Sequence, residues 1–289
     1  MKTKLKKLAI FGILLVIFCA STFAVHNYSH NIYLFFEEQG IFLDKIEVNI
    51  AENGELAEYT LSEFEGDGRV IFDQSLMLVN TEYMLSEDFS PQVSEYKDTT
   101  VYMNDCMLEA YAALSAAVTE ETGKKLYVSS DLRGREEQEV LYLEMPDTAT
   151  IPGASEHETG LALDVYVARY AGDGFIKSRA GRFVNSECWR YGFIIRYPSH
   201  GEDITGIRFE PWHIRYVGAP HAAIIYNNHL TLEEYILSMD IGVWYESEGY
   251  LICRQSISEE GTLTLPAEFV SCIISPDNTG YYVVTVMGG

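Results

Sequence analysis

Residues 155–164 read Ser-Glu-His-Glu-Thr-Gly-Leu-Ala-Leu-Asp, and the run continues Val-Tyr-Val to residue 167. From Leu161 onward the apolar residues Leu161, Leu163, Val165 and Val167 take every second position, with Ala162, Asp164 and Tyr166 between them. A period of two is that of a strand, so one face enters the core and Asp164 lies on the other. Ser155-x-x-Glu158 also fits a helix capping box, but Gly160 and the alternation behind it favour a turn feeding a strand. His157 on that turn and Asp164 on the strand leaving it can therefore converge on one point.

Working outward, apolar residues recur at helical spacing between Cys106 and Thr122 (Leu108, Tyr111, Leu114, Val118), and Gly123 follows as a stop. Lys125 to Ser130 reads as a strand and Arg135 to Leu143 as a short helix. Phe183 to Tyr191 reads as a helix capped by Gly192, before a strand from Phe193 to Tyr197. Another strand is expected over Gly206 to Val217. Two short helical patterns then run from Pro220 to Met239, and Gly242 to Val286 is rich in Tyr, Val, Ile and Thr. The pattern predicts an α+β fold, a small antiparallel sheet flanked by helices, occupying residues 75–240. Residues 26–74 read as a stalk or small appended element, and 241–289 as a β-rich C-terminal appendage.

The chain opens with four lysines in Met1 to Lys7, followed by an uncharged apolar run from Leu8 to Val25. That order is that of an export signal or a membrane anchor, and it sends everything after residue 25 out of the cytoplasm. The chain is then anchored in the cell membrane, or secreted if the segment is cleaved after Ala24. With 43 acidic against 20 basic residues the formal charge is −23, so beyond the lysine-rich start there is no general attraction for a nucleic-acid backbone. The five cysteines show no Cys-x-x-Cys spacing, so a cysteine-based metal or redox site has no support. His26, His30, His200, His221 and His229 read as solvent-facing or lightly buried, with His200 a candidate for the rim of the site.

The second informative stretch is Glu210-Pro211-Trp212-His213. On a regular strand, residues three apart point to opposite faces. Pro211 cannot donate to a ladder, so an irregularity there would turn Glu210 and His213 toward one cleft. Two histidines and an aspartate make a three-ligand catalytic zinc site with an open fourth position. The remaining carboxylate, Glu210, is placed to take a proton from a water activated at such a metal and pass it to a leaving amine.

These stretches resemble the VanY-type zinc D-alanyl-D-alanine carboxypeptidases, which share the hedgehog/DD-peptidase fold. The resemblance runs from about Leu76 to Ile236 through SLMLVN at 75–80, SSDLRGREEQ at 129–138, PGASEHETGLALD at 152–164, YGFIIRYP at 191–198 and TGIRFEPWHIRYVG at 205–218. It implies His157, Asp164 and His213 as ligands of Zn2+, Glu210 as general base, and Arg133 as a contact to the substrate carbonyl or carboxylate. It also implies Gln138 and Ser155 as substrate-binding residues, and the stem peptide of peptidoglycan or its precursor as substrate. Two departures stand out: Asp131-Leu132 replaces the family's Gly-Tyr before Arg133, and the connection from Gln138 to Gly153 is short. Both lie beside the substrate groove, so they bear on peptide preference. The expected reaction is removal of the terminal D-alanine. Its alternatives are an L,D-carboxypeptidase or endopeptidase on the same stems, and a catalytically silent wall-binding module.

Overall fold

The computed structural model describes residues 29–41, 43–51, 54–64, 66–257 and 261–288. The segment 1–25, read above as a signal or anchor, lies outside the described residues. Among the described residues no helix is long and apolar enough to cross a membrane. Their strands are β1 (Asn49–Ile50), β2 (Leu56–Thr60), β3 (Val70–Phe72), β4 (Val93–Glu95), β5 (Tyr102–Asn104), β6 (Tyr127–Ser130), β7 (Ala162–Tyr166), β8 (Phe193–Ile195), β9 (His213–Tyr216), β10 (Trp244–Ser247), β11 (Tyr250–Gln255), β12 (Thr262–Pro266), β13 (Ser271–Pro276) and β14 (Tyr282–Met287).

Strands β6, β7, β9 and β8, in that order, form an antiparallel sheet that carries the two motifs. The alternation in β7 has the expected consequence: Leu161, Leu163, Val165 and Val167 are fully buried, while Asp164 and Tyr166 on the other face are only partly so. The buried face packs on the helix Leu108–Thr122, whose inward residues Tyr111, Leu114 and Val118 recur at three- and four-residue spacing. Gly123 ends that helix in the left-handed conformation, its N–H donating to Thr119 O. Ala180 and Val184 of the helix Arg179–Glu187 close the same core, with Phe175 just before it.

The turn preceding β7 is a single 3-10 turn, Glu156–Thr159, ended by Gly160 at φ +68°. A Cβ on Gly160 would lie 2.7 Å from Val93 Cγ1 and 3.1 Å from the backbone N of Asn104. Both the backbone conformation and the space demand glycine. Gly160→Ala is therefore expected to lower stability by more than about 1 kcal/mol, read as a lower denaturant midpoint at unchanged m-value.

The strand expected over Gly206–Val217 is shorter. Only His213–Tyr216 joins the ladder, because Pro211 has no N–H to offer and the Glu210 carbonyl accepts the His213 N–H at 3.0 Å. Residues 210–213 are thus a tight turn, preceded by the helical turn Glu202–Thr205.

The flanking segments, expected as a stalk or small appended element (26–74) and a β-rich C-terminal appendage (241–289), share one sheet. A six-stranded sheet runs in the order β1-β10-β11-β14-β13-β3, with β3 parallel to β13 and the other pairs antiparallel. Strand β2 pairs with β12 beside it. Leu76 and Leu78 join Ile224, Leu232, Ile252 and Val283 in one apolar cluster, so this layer packs on the helices Ala219–Asn227 and Leu232–Ser238 rather than standing apart. His221, expected near the surface, is buried in that interface. Its two ring nitrogens meet the Tyr235 hydroxyl at 2.6 Å and Thr285 Oγ1 at 2.9 Å, so the ring is fully satisfied there. Cys253 and Cys272 are free thiols in a further apolar cluster, with Phe64, Trp244 and Leu265.

Candidate active site

The sheet register brings the motifs together. Asp164 of β7 sits directly opposite His213, the first residue of β9, and the 3-10 turn before β7 delivers His157 to the same place. His213 Nδ1 lies 3.1 Å and His157 Nε2 3.6 Å from Asp164 Oδ1, and the two imidazole rings stand 5.0 Å apart at 81°. One donor atom from each of His157, Asp164 and His213 falls within 4.8 Å of the others. Glu210 Oε2 is 3.7 Å from His213 Nδ1, at the edge of the cluster and not among those three donors. The turn at Pro211 thus does what an irregular strand was expected to do.

Asp164 Oδ1 is buried and has no hydrogen-bond partner, although two ring nitrogens face it. A buried carboxylate oxygen left in that state, with imidazoles on two sides, suits a divalent cation. Burial alone would raise the Asp164 carboxyl, yet His157 and His213 hold it well below the usual carboxylate range. Burial likewise opposes a proton on His213, but Asp164 and Glu156 outweigh it and push its pKa up to about 9. Glu210 differs: burial raises its carboxyl, and His213 only partly offsets that. The cluster therefore separates a carboxylate kept ionised from one whose proton affinity is enhanced.

The far side of each imidazole is also defined. His157 Nδ1 meets the backbone carbonyl of Asp131 at 2.8 Å; a carbonyl only accepts, so Nδ1 carries the hydrogen and Nε2 keeps its lone pair toward the cluster. Because the contact uses the backbone of residue 131, the unusual aspartate side chain does not disturb it; that side chain accepts the Tyr102 N–H. His213 Nε2 faces Glu156 Oε2 at 3.8 Å. Glu156 is wholly buried and its Oε1 accepts from Arg196 Nε at 2.6 Å and from an Arg215 Nη1 at 2.5 Å. Arg196 also grips Glu233 with two hydrogen bonds, at 2.6 and 2.8 Å, while Arg215 donates to the Ser75 and Met77 carbonyls. Sequence reading did not single out Glu156, Arg196, Arg215 or Glu233. The signal was present, since Phe-Ile-Ile-Arg and His-Ile-Arg-Tyr place arginines in apolar strands, where a guanidinium must find a carboxylate.

A cleft of about 430 Å3 opens over the cluster, and Arg133, Gln138 and Ser155 all line it. Arg133 Nη1 donates to Gln138 Oε1 at 2.7 Å and Nη2 to Ser130 Oγ at 2.8 Å, while its backbone N–H donates to the His157 carbonyl. Gln138 in turn donates to the Thr150 carbonyl at 2.6 Å. Both ends of the Gln138 amide are thus engaged, and its visible action is to hold Arg133. Ser155 caps the 3-10 turn without a side-chain hydrogen bond to it. His200 is not among the residues lining this cleft.

Three metal donors on an antiparallel sheet, with an uncoordinated carboxylate beside them and a cation across the cleft, define a metal-dependent hydrolase. Residues 100–219 match the family model of VanY, D-alanyl-D-alanine carboxypeptidase. The D-alanyl-D-alanine carboxypeptidase of Enterococcus faecium is 31% identical over 240 residues, covering 76% of this chain and 77% of the relative. The chain belongs to the VanY family of D-alanyl-D-alanine carboxypeptidases. Among solved structures, a vancomycin resistance D,D-pentapeptidase VanY from a VanB-type resistance cassette, in complex with Zn(II), is 28% identical. It covers 56% of this chain and 98% of its own, with a TM-score of 0.51. The LD-carboxypeptidase LdcB, whose structure concerns peptidoglycan recognition, is 32% identical, covering 56% and 86%, with a TM-score of 0.52.

Proposed function

We propose that this family member is a zinc carboxypeptidase that removes the terminal D-alanine from peptidoglycan stem peptides or their precursors. The observation that carries the reading is the meeting of His157, Asp164 and His213 within 4.8 Å, with Glu210 alongside. His157 Nε2, Asp164 Oδ1 and His213 Nδ1 would hold the ion. Zinc, when bound, supplies a Lewis acid that makes water nucleophilic near neutral pH and polarises a carbonyl. Glu210 accepts the proton that the attacking water loses and delivers it to the departing amine nitrogen. Arg133 faces the developing negative charge or the free terminal carboxylate, held in aim by Gln138 and Ser130. Ser155, on the cleft wall beside His157, contacts the peptide. The lysine-rich start and the apolar run from Leu8 to Val25 support export, with the domain tethered outside the membrane or released by cleavage.

The test is incubation of the full-length protein in detergent with stem pentapeptide and tetrapeptide, with zinc and then with chelator, followed by mass measurement. Loss of one alanine from the pentapeptide, abolished by chelator and restored by zinc, is expected. The likeness to LdcB favours one second reading, in which the tetrapeptide is trimmed instead. A chain that cleaves neither stem overturns both. Arg133→Gln is expected to lower kcat/KM by about 10²-fold with zinc content unchanged, as removal of one aimed donor does elsewhere. Steady-state kinetics beside metal analysis checks it.

A further inference from the structure

A second cluster of metal-type donors lies away from the catalytic cleft. Glu37, on helical backbone spanning 29–38, meets His200 and His229, one donor atom from each lying within 4.8 Å of the others. These residues line a separate cavity of about 30 Å3, room for a single ion or water. Both ring nitrogens of His200 are buried without any hydrogen-bond partner, and its ring lies 3.5 Å from that of His229, centroid to centroid. An imidazole in that state is unfavourable unless something accepts its lone pair.

The surroundings point to a cation. His229 Nε2 meets the backbone carbonyl of Glu37 at 3.1 Å; the carbonyl accepts, so Nε2 carries the hydrogen and Nδ1 keeps its lone pair. Ser199 Oγ donates to Glu37 Oε2 at 2.6 Å, orienting the carboxylate. An imidazole fixed by a backbone carbonyl and a carboxylate fixed by a hydroxyl are what metal ligands have behind them. We propose that Glu37, His200 and His229 form a second divalent-metal site, which fastens the helix at 29–38 to the loop 198–201. Two imidazoles and one carboxylate suit zinc and its borderline neighbours rather than calcium or magnesium. The pinned loop leads through Glu202–Thr205 to Ile207 and Glu210, both on the wall of the catalytic cleft, so the ion also steadies that wall.

The test uses the full-length protein in detergent, stripped with chelator, dialysed against Zn2+ and assayed by elemental analysis. Two zinc ions per chain are expected in the wild type, one in His200→Ala, one in His157→Ala, and none in the double variant. A wild-type content of one, removed by His157→Ala and untouched by His200→Ala, overturns this site and leaves the catalytic one standing. Retention of two in His200→Ala overturns it as well. Ser199→Ala keeps all three donors and guards against misfolding as an explanation: it is expected to weaken the second binding event about 10- to 100-fold in a Zn2+ titration. Identical two-site isotherms for wild type, Ser199→Ala and Glu37→Gln would reject the proposal.

Discussion

Glu210→Gln is expected to lower kcat on a stem peptide by about 10²- to 10⁴-fold while zinc stays bound at the wild-type level. Glutamine keeps the volume and a hydrogen-bond acceptor but cannot carry a proton from water to the leaving nitrogen. The metal should remain because Glu210 Oε2 stands outside the three converging donors, 3.7 Å from His213 Nδ1. His213→Ala is the contrasting case: it deletes a donor of the cluster at the cleft, so the zinc held there is lost together with turnover. Metal analysis beside single-turnover kinetics separates the two. A Glu210→Gln protein that turns over within a few-fold of wild type has no general base there, and one that loses its zinc has Glu210 as a ligand.

Glu156→Ala is expected to lower unfolding stability by about 3–5 kcal/mol, the usual consequence of removing one partner from a buried ion pair. Arg196 would keep Glu233, but Arg215 would be left with backbone carbonyls alone, fully buried and without a counter-charge. Against a typical total of about 5–15 kcal/mol, that is a large fraction. Denaturant unfolding in the presence of chelator isolates this effect from metal binding, and a loss under about 1 kcal/mol would show that the network relaxes around the gap. Glu156 also stands behind His213, so zinc affinity is expected to fall by about 10- to 100-fold in the same variant.

The meeting of His157, Asp164, Glu210 and His213 was legible in so far as its order is local. The alternation from Leu161 to Val167 defines which face Asp164 occupies, Gly160 marks the turn that carries His157, and Pro211 marks the break that swings Glu210 beside His213. Cross-strand register did the rest, and no local pattern reports it: Asp164 and His213 are opposite each other because β7 pairs with β9. The same limitation hid the partnership of the flanks. β1 is two residues long and β3 three, and each pairs with a strand about two hundred residues further on, so neither carries a readable sign of its partner. Glu156 escaped notice for another reason. In Ser-Glu-His-Glu an acidic residue looks like solvent-facing turn chemistry, and only the arrival of Arg196 and Arg215 makes it the charge at the centre of the domain. His200 and His229 were likewise ordinary until the helix at 29–38 brought Glu37 between chain segments that sequence keeps far apart.

The position of β14 has an outcome for how the molecule matures. It is the last strand in chain order, yet it lies inside the larger sheet, hydrogen-bonded to β11 on one edge and β13 on the other. A chain folding as it is made from its amino terminus assembles the hydrolytic centre first and still holds an open slot until residues 282–287 emerge. The slot cannot close before that last strand is made, which makes a prematurely terminated copy an easy target for proteases even when its cleft is already built.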